Sequence, residues 1–276
     1  MVLHPSLERL TRRPGPDAGR RSESSLSAAA HRDYALTVSS RARKSGLWLL
    51  AVALGLAYAA VAVLVSAGVF DRIDSYAAWH LMPGLHVRHD PSSLLDDLLP
   101  HHGSGFSVGD AIRLPAGFLV SALLVVCAAA YLWRRGRRWA AWAWLALFAV
   151  ACAVEVMCKG LLTRPSIDVP LRGSLVPISG FDSSYPSGHL LRAAVLAALA
   201  AYLWSAWTPA ALAWLAVVAV TLEVDGRHTP SDLLGAALLA SCLIASTLGV
   251  LGGDAPVVSG TAPGAAAYPV PSARDG

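Results

Sequence analysis

Charged residues are scarce in this sequence. Asp, Glu, Lys and Arg make up 14% of its 276 residues, against 55% hydrophobic residues. That is too little charge for an ordinary soluble domain and points to a membrane protein with several spans. Cysteine is also sparse. Cys127, Cys152, Cys158 and Cys242 all fall in apolar runs, and none has metal-type spacing. A disulfide scaffold and a cysteine-based metal site are therefore not expected. The positive excess is small, +4, and the basic residues sit beside apolar runs, as the positive-inside rule requires. A nucleic-acid partner is not expected. A typical secretory leader is not expected either, because the polar stretch before the first apolar run is far too long.

What remains is a series of long apolar runs. Residues 1–45 carry nine Lys/Arg among scattered Ser, Pro and Gly and read as a disordered, cytoplasmic basic tail. A first span runs from Leu47 to about Phe70. Residues 71–112 hold Asp71, Asp74, Asp90, Asp96, Asp97 and Asp110 with His80, His86, His89, His101 and His102. Their Leu, Trp and Met content predicts short amphipathic helices in an extracytoplasmic interfacial segment. The His/Asp cluster invites a metal reading, but no spacing matches a known ligand pattern. Further spans are expected at about Leu114–Trp133, Trp139–Cys158, His189–Trp204, Ala210–Val224 and Leu233–Leu251. Arg134-Arg135-Gly136-Arg137-Arg138, between the second and third spans, marks a cytoplasmic loop. The predicted fold is all-α: a six-span transmembrane helical bundle over residues 46–252, followed by a disordered Gly/Pro/Ala-rich tail, 253–276. Both termini are then cytoplasmic, in the cell membrane. Parity brings Lys159, Arg164, His189 and the segment after the fifth span to the outer face.

Two stretches at that face carry chemistry. In Ser184-Tyr185-Pro186-Ser187-Gly188-His189-Leu190-Leu191-Arg192, Pro186 fixes φ, Ser187 is a natural N-cap and Gly188 leaves the approach open. A helix starting here aims backbone N–H groups at an anion. His189 lies in the first turn, where it can exchange a proton. Arg192 shares that face but lies inside the apolar run, where charge is expensive and points to function. The same residues also fit a plain capped helix with a snorkelling arginine. In Asp225-Gly226-Arg227-His228-Thr229-Pro230-Ser231-Asp232, the Asp232 carboxylate can reach back to one nitrogen of His228 and leave the other free. Here too a simple helix cap fits. In the third span, Glu155 precedes Lys159 by four residues, the favourable order for a helical ion pair.

Taken together and in order, Lys159 with Arg164-Pro165, Pro186-Ser187-Gly188-His189, and Gly226-Arg227-His228 with Asp232 resemble the type 2 phosphatidic acid phosphatase (PAP2) superfamily of membrane lipid phosphatases. The resemblance covers about residues 47–251. It implies a phosphohydrolase acting on a lipid phosphate or diphosphate, with membrane lipids around it and no metal or other cofactor. His228 would attack phosphorus and form a phosphohistidine, Asp232 would orient it, and His189 would protonate the leaving oxygen. Lys159, Arg164, Ser187, Gly188, Arg192 and Arg227 would hold the phosphate oxygens. Two features depart from the family pattern. Four residues, not six, separate Lys159 from Arg164-Pro165, and the Ser-Arg pair ahead of the third-motif histidine is replaced by Thr221-Leu222. Arg164, Arg172, Arg192 and Arg227 are candidates to supply the displaced charge. The alternative is a catalytically weak or inactive relative that binds anionic lipid phosphates. A transporter using Glu155 and Arg192 is disfavoured, because the charges gather at one face.

Overall fold

The computed structural model describes residues 17–81, 108–162, 167–171, 174–178 and 184–252. Its helices are α1 (Asp17–Ser66), α2 (Asp71–His80), α3 (Val108–Arg113), α4 (Phe118–Arg134), α5 (Arg138–Leu161), α6 (Gly188–Leu203), α7 (Thr208–Val224) and α8 (Pro230–Leu251). Strands β1 (Ile167–Leu171) and β2 (Ser174–Ile178) form an antiparallel hairpin that pairs Ile167 with Ile178 and Leu171 with Ser174. The fold is thus helical with one small sheet, whereas the sequence predicts helices alone. Pro170 and Pro177 mask the strand signal. They are tolerated because in a two-stranded ribbon each strand has an open edge, where a missing N–H costs no ladder bond.

Among the described residues, four helices are long and apolar enough to cross a bilayer: Arg41–Ser66, Arg138–Leu161, Ser205–Val224 and Pro230–Leu251. A fifth span exists if Val108–Ala116 and Phe118–Arg134, bent by 46° to each other, count as one. The bend falls where a short turn, Leu114–Ala116, ends in an extended Gly117, since Pro115 and Gly117 both interrupt a helical ladder. Helix α6 has 16 residues. It rises about 24 Å, less than a hydrocarbon core of about 30 Å. The expected six spans therefore appear as four long helices, one bent pair and one short helix.

Helix α6 packs against α4, α5, α7 and α8 and is buried through Leu190, Leu191, Ala193, Ala194, Val195, Ala197, Leu199 and Leu203. Trp144 and Leu147 of α5, Val218 and Leu222 of α7, and Ala236 and Leu239 of α8 belong to the same core. Small residues let backbones approach closely, which is how helices associate where lipid removes the hydrophobic drive. The outer surface carries exposed Leu49, Leu56 and Val63 on α1, Leu119 and Leu123 on α4, and Leu212 and Val220 on α7. That apolar exterior, on helices of spanning length, makes this a membrane protein.

Helix α1 extends back to Asp17, across part of the stretch expected to be a disordered tail. Ala28, Ala29, Ala30, Leu36 and Arg32 are strong helix formers that need no amphipathic pattern to propagate from the first span. The rest of that tail, 1–16, and the expected tail 253–276 lie outside the described residues, as does 82–107 with His86, His89, His101 and His102.

One close approach ties the site loop to the bundle. A β-carbon at Gly235 of α8 would collide with the ring and hydroxyl of Tyr185, whose other side stacks on Tyr58 of α1 with ring centroids 6.0 Å apart. Burial, with the Asp232 charge nearby, holds the Tyr185 phenol above its usual titration range, so it remains a neutral hydroxyl. Gly235→Ala should lower thermal stability by about 1–3 kcal/mol through overpacking. Unfolding in detergent followed by circular dichroism measures it, and an unchanged midpoint would show that Tyr185 moves aside at no cost.

Candidate active site

The chemistry-bearing residues meet at one end of the bundle, where the start of α6 faces the start of α8. The Ser187 N–H donates to the Asp232 carbonyl at 3.2 Å, and the Ser184 hydroxyl donates to Asp232 Oδ2 at 2.8 Å. These two bonds fasten the loop before α6 onto the first turn of α8. Ser187 is the N-cap of α6, as its sequence position predicts, with its side chain accepting from the Leu190 N–H at 3.4 Å. His189 is buried in the turn that follows.

Asp232 caps α8 and also faces His228. With Thr229 it forms a capping box, accepting from the Thr229 N–H at 3.0 Å. The same Oδ2 lies 3.6 Å from His228 Nδ1. At that length the contact is electrostatic rather than a hydrogen bond, and Nδ1 is a buried nitrogen with no hydrogen-bond partner among the described residues. Asp232 is fully buried and His228 is 7% exposed. The ring is turned with Nδ1 toward the carboxylate and Nε2 away from it.

Lys159, Gly188 and Arg192 converge on Glu155. Glu155 Oε1 is 3.0 Å from Lys159 Nζ, and Oε2 accepts from Arg192 Nη1 at 2.7 Å. Arg192 Nε donates to the Ala116 carbonyl at 2.9 Å, tying α6 to the bend before α4. A β-carbon at Gly188 would collide with the Glu155 carboxylate, so glycine is needed here for close approach.

Arg227 Nη2 donates to Asp110 Oδ1 at 3.2 Å. Asp110 also accepts from Arg113 Nη2 at 2.8 Å. Arg113 Nη1 bonds the Asp225 carboxylate and donates to the Thr221 carbonyl at 3.2 Å. The guanidinium of Arg113, 3% exposed, is thus seated on the backbone of the position where the family pattern would have its serine. Trp214 Nε1 donates to the Ile112 carbonyl at 3.1 Å and pins this segment to α7. Arg164 and Arg172 lie outside the described residues.

Sequence reasoning missed Arg113 and the anchoring role of Asp74. Asp74 of α2 is fully buried. Its Oδ1 accepts from the Ser231 N–H at 3.1 Å, and its Oδ2 accepts from the Ser231 hydroxyl at 2.6 Å. A carboxylate from a distant helix thereby satisfies a first-turn donor of α8. Neither Asp74 nor Arg113 stands in a local pattern that marks its partner.

Comparison with known proteins finds a match in the second half of the chain. Residues 140–252 match the family model of the PAP2 superfamily. No curated protein and no solved structure matches the chain. Members of that superfamily are typically phosphatases acting on phosphate esters. The matched stretch runs from the first turn of α5 to the end of α8 and contains Lys159, Ser187, Gly188, His189, Arg192, Arg227, His228 and Asp232. Every described site residue expected from the sequence thus falls in the stretch similar to the PAP2 superfamily, whereas Asp74, Asp110 and Arg113 lie ahead of it.

Proposed function

We propose that this chain is an integral-membrane phosphohydrolase that cleaves a lipid phosphate or diphosphate through a phosphohistidine. The observation that carries the reading is the buried Asp232 carboxylate, fixed by Ser184 and Thr229 and set 3.6 Å from His228. Nδ1 of His228 faces this carboxylate, leaving Nε2 as the attacking atom. Its lone pair forms the N–P bond as the bond from phosphorus to the lipid oxygen breaks. His189 gives its proton to that departing oxygen. Water, deprotonated by His189, then attacks phosphorus, breaks the N–P bond and releases inorganic phosphate. Lys159, Arg192, Arg227, the Ser187 hydroxyl and the Gly188 N–H at the start of α6, and Arg164 from the neighbouring loop would neutralise charge on the oxygens.

The charge distribution along α5 supports the orientation proposed here. The arginine-rich turn Arg134–Arg138 lies at its start and Lys159 near its end, about 32 Å from Arg138 at about 1.5 Å per residue. With the arginines cytoplasmic, the site opens on the extracytoplasmic face of the cell membrane, and both termini are cytoplasmic. The substrate then reaches the site from surrounding membrane lipid.

A second reading is a weak or inactive relative that binds lipid phosphates. It is favoured by the ion pairs of Arg192 with Glu155 and of Arg113 and Arg227 with Asp110. Purified protein given a panel of phosphatidic-acid-like, isoprenoid and glycerophosphate lipid phosphates separates the two. The hydrolase reading expects phosphate release from at least one, insensitive to EDTA. The rate should be bell-shaped in pH, because His228 must be neutral to attack and His189 protonated to donate. No release from any lipid, or release undiminished in His228→Ala, would leave only the binding reading or a different mechanism.

A further inference from the structure

The three described phosphate-binding candidates outside the third motif and the cap all touch a single carboxylate. Lys159 Nζ is 3.0 Å from Glu155 Oε1, and Arg192 Nη1 is 2.7 Å from Oε2. The same carboxylate packs where a β-carbon of Gly188 would be, against the first turn of α6, whose N–H groups point at anions. Glu155, Lys159 and Arg192 side chains are 7%, 12% and 4% exposed, so these contacts are shielded from water and strong. Glu155 presents what a phosphoryl group presents: two oxygens sharing negative charge, one toward an ammonium and one toward a guanidinium.

We infer that Glu155 is a resident anion occupying the position of two phosphoryl oxygens, and that a phosphate group enters by displacing it from Lys159 and Arg192. This rests on the reading of the site as a phosphate site. In the empty protein the carboxylate keeps two buried cations compensated, which would otherwise be costly. It also holds them at the spacing the substrate needs. The incoming phosphate takes over both cations, and the freed carboxylate turns away from the α6 turn. Glu155 is thus a positioning residue that competes with the ligand it prepares for. Because the two anions share the same cations, removing one charge strengthens the hold on the other by the same coupling.

The test is thermal unfolding of the full-length protein in detergent with and without inorganic phosphate. Glu155→Gln keeps the shape and removes the charge. Without phosphate this variant should melt lower than wild type. It should bind phosphate roughly tenfold more tightly, a typical size for such a coupling, and therefore gain more in Tm from a given phosphate concentration. If Glu155→Gln cannot be isolated folded, Glu155→Asp, one methylene short of bridging both cations, should show the same larger gain. A phosphate-induced rise equal to or smaller than that of wild type would overturn the proposal and leave Glu155 a purely structural ion pair. The measurement needs no turnover. A protein that binds phosphate in this way but releases none from lipids would refute the hydrolase reading and leave this one standing.

Discussion

Asp232→Asn is expected to lower kcat by two to four orders of magnitude, roughly the range for losing one properly charged acid–base partner, while the protein still folds. The asparagine carbonyl oxygen can still accept from the Thr229 N–H and the Ser184 hydroxyl, which hold Asp232 now. The cap and the seam between α6 and α8 therefore persist. What disappears is the negative charge 3.6 Å from His228 Nδ1, and with it the preference for a charged ring as N–P bond formation proceeds. Loss of charge behind a histidine with geometry preserved is costly in other enzymes for this reason. His228→Ala should fall further, to background, since no nucleophile remains. The check is phosphate release from the best lipid of the panel, with unfolding midpoints recorded alongside. An Asp232→Asn protein within a factor of about three of wild type would mean that Asp232 is a helix cap and nothing more.

The second large effect is on stability. Asp74→Ala removes the carboxylate that the Ser231 N–H and hydroxyl bond at 3.1 and 2.6 Å in a fully buried position. The Ser231 N–H is left without a partner, the hydroxyl keeps only Thr229 Oγ1 at 3.1 Å, and a charge favourable to the α8 dipole is lost. At about 1–3 kcal/mol for the stranded group and up to about 1 kcal/mol for the dipole, the expected cost is about 2–4 kcal/mol, seen as a fall in Tm of about 4–12 °C for a chain of this size. Asp74→Asn keeps one acceptor and should lose less. A midpoint for Asp74→Ala within about 2 °C of wild type would show that water or a neighbour replaces the carboxylate and that α2 does not anchor α8.

Local chemistry was legible from the chain. Pro186, Ser187 and Gly188 announce the start of α6, and Pro230 with Asp232 announces the start of α8, because capping is a property of a few adjacent residues. The apolar runs placed α5, α7 and α8 to within a few residues, while α1 starts at Asp17, well ahead of its apolar run. The segment before α4 was harder. Read as one span from Leu114, it is a bent pair in which Val108–Ala116 already belongs to the helical path, and Arg113 at its heart looks like a loop charge. The hairpin 167–178 was hidden by its prolines. Asp74 with Ser231 and Arg113 with Thr221 join residues more than a hundred positions apart. No periodicity records such pairs, and only the packing of α2 and α3 onto the end of the bundle creates them. The two readings weighed for Asp232, cap or orienting acid, turned out to be compatible, since one oxygen serves Thr229 and faces His228 at once.

Because α6 is some 6 Å shorter than the hydrocarbon layer, it cannot reach both membrane boundaries. On the orientation and lipid substrate proposed above, with the far end of α6 level with the cytoplasmic side, His189 would sit below the outer headgroups, near the depth of a lipid's first ester or ether oxygens. A substrate would then keep its tail among its neighbours throughout the reaction and never be lifted toward water, and only the small, soluble product would have to leave.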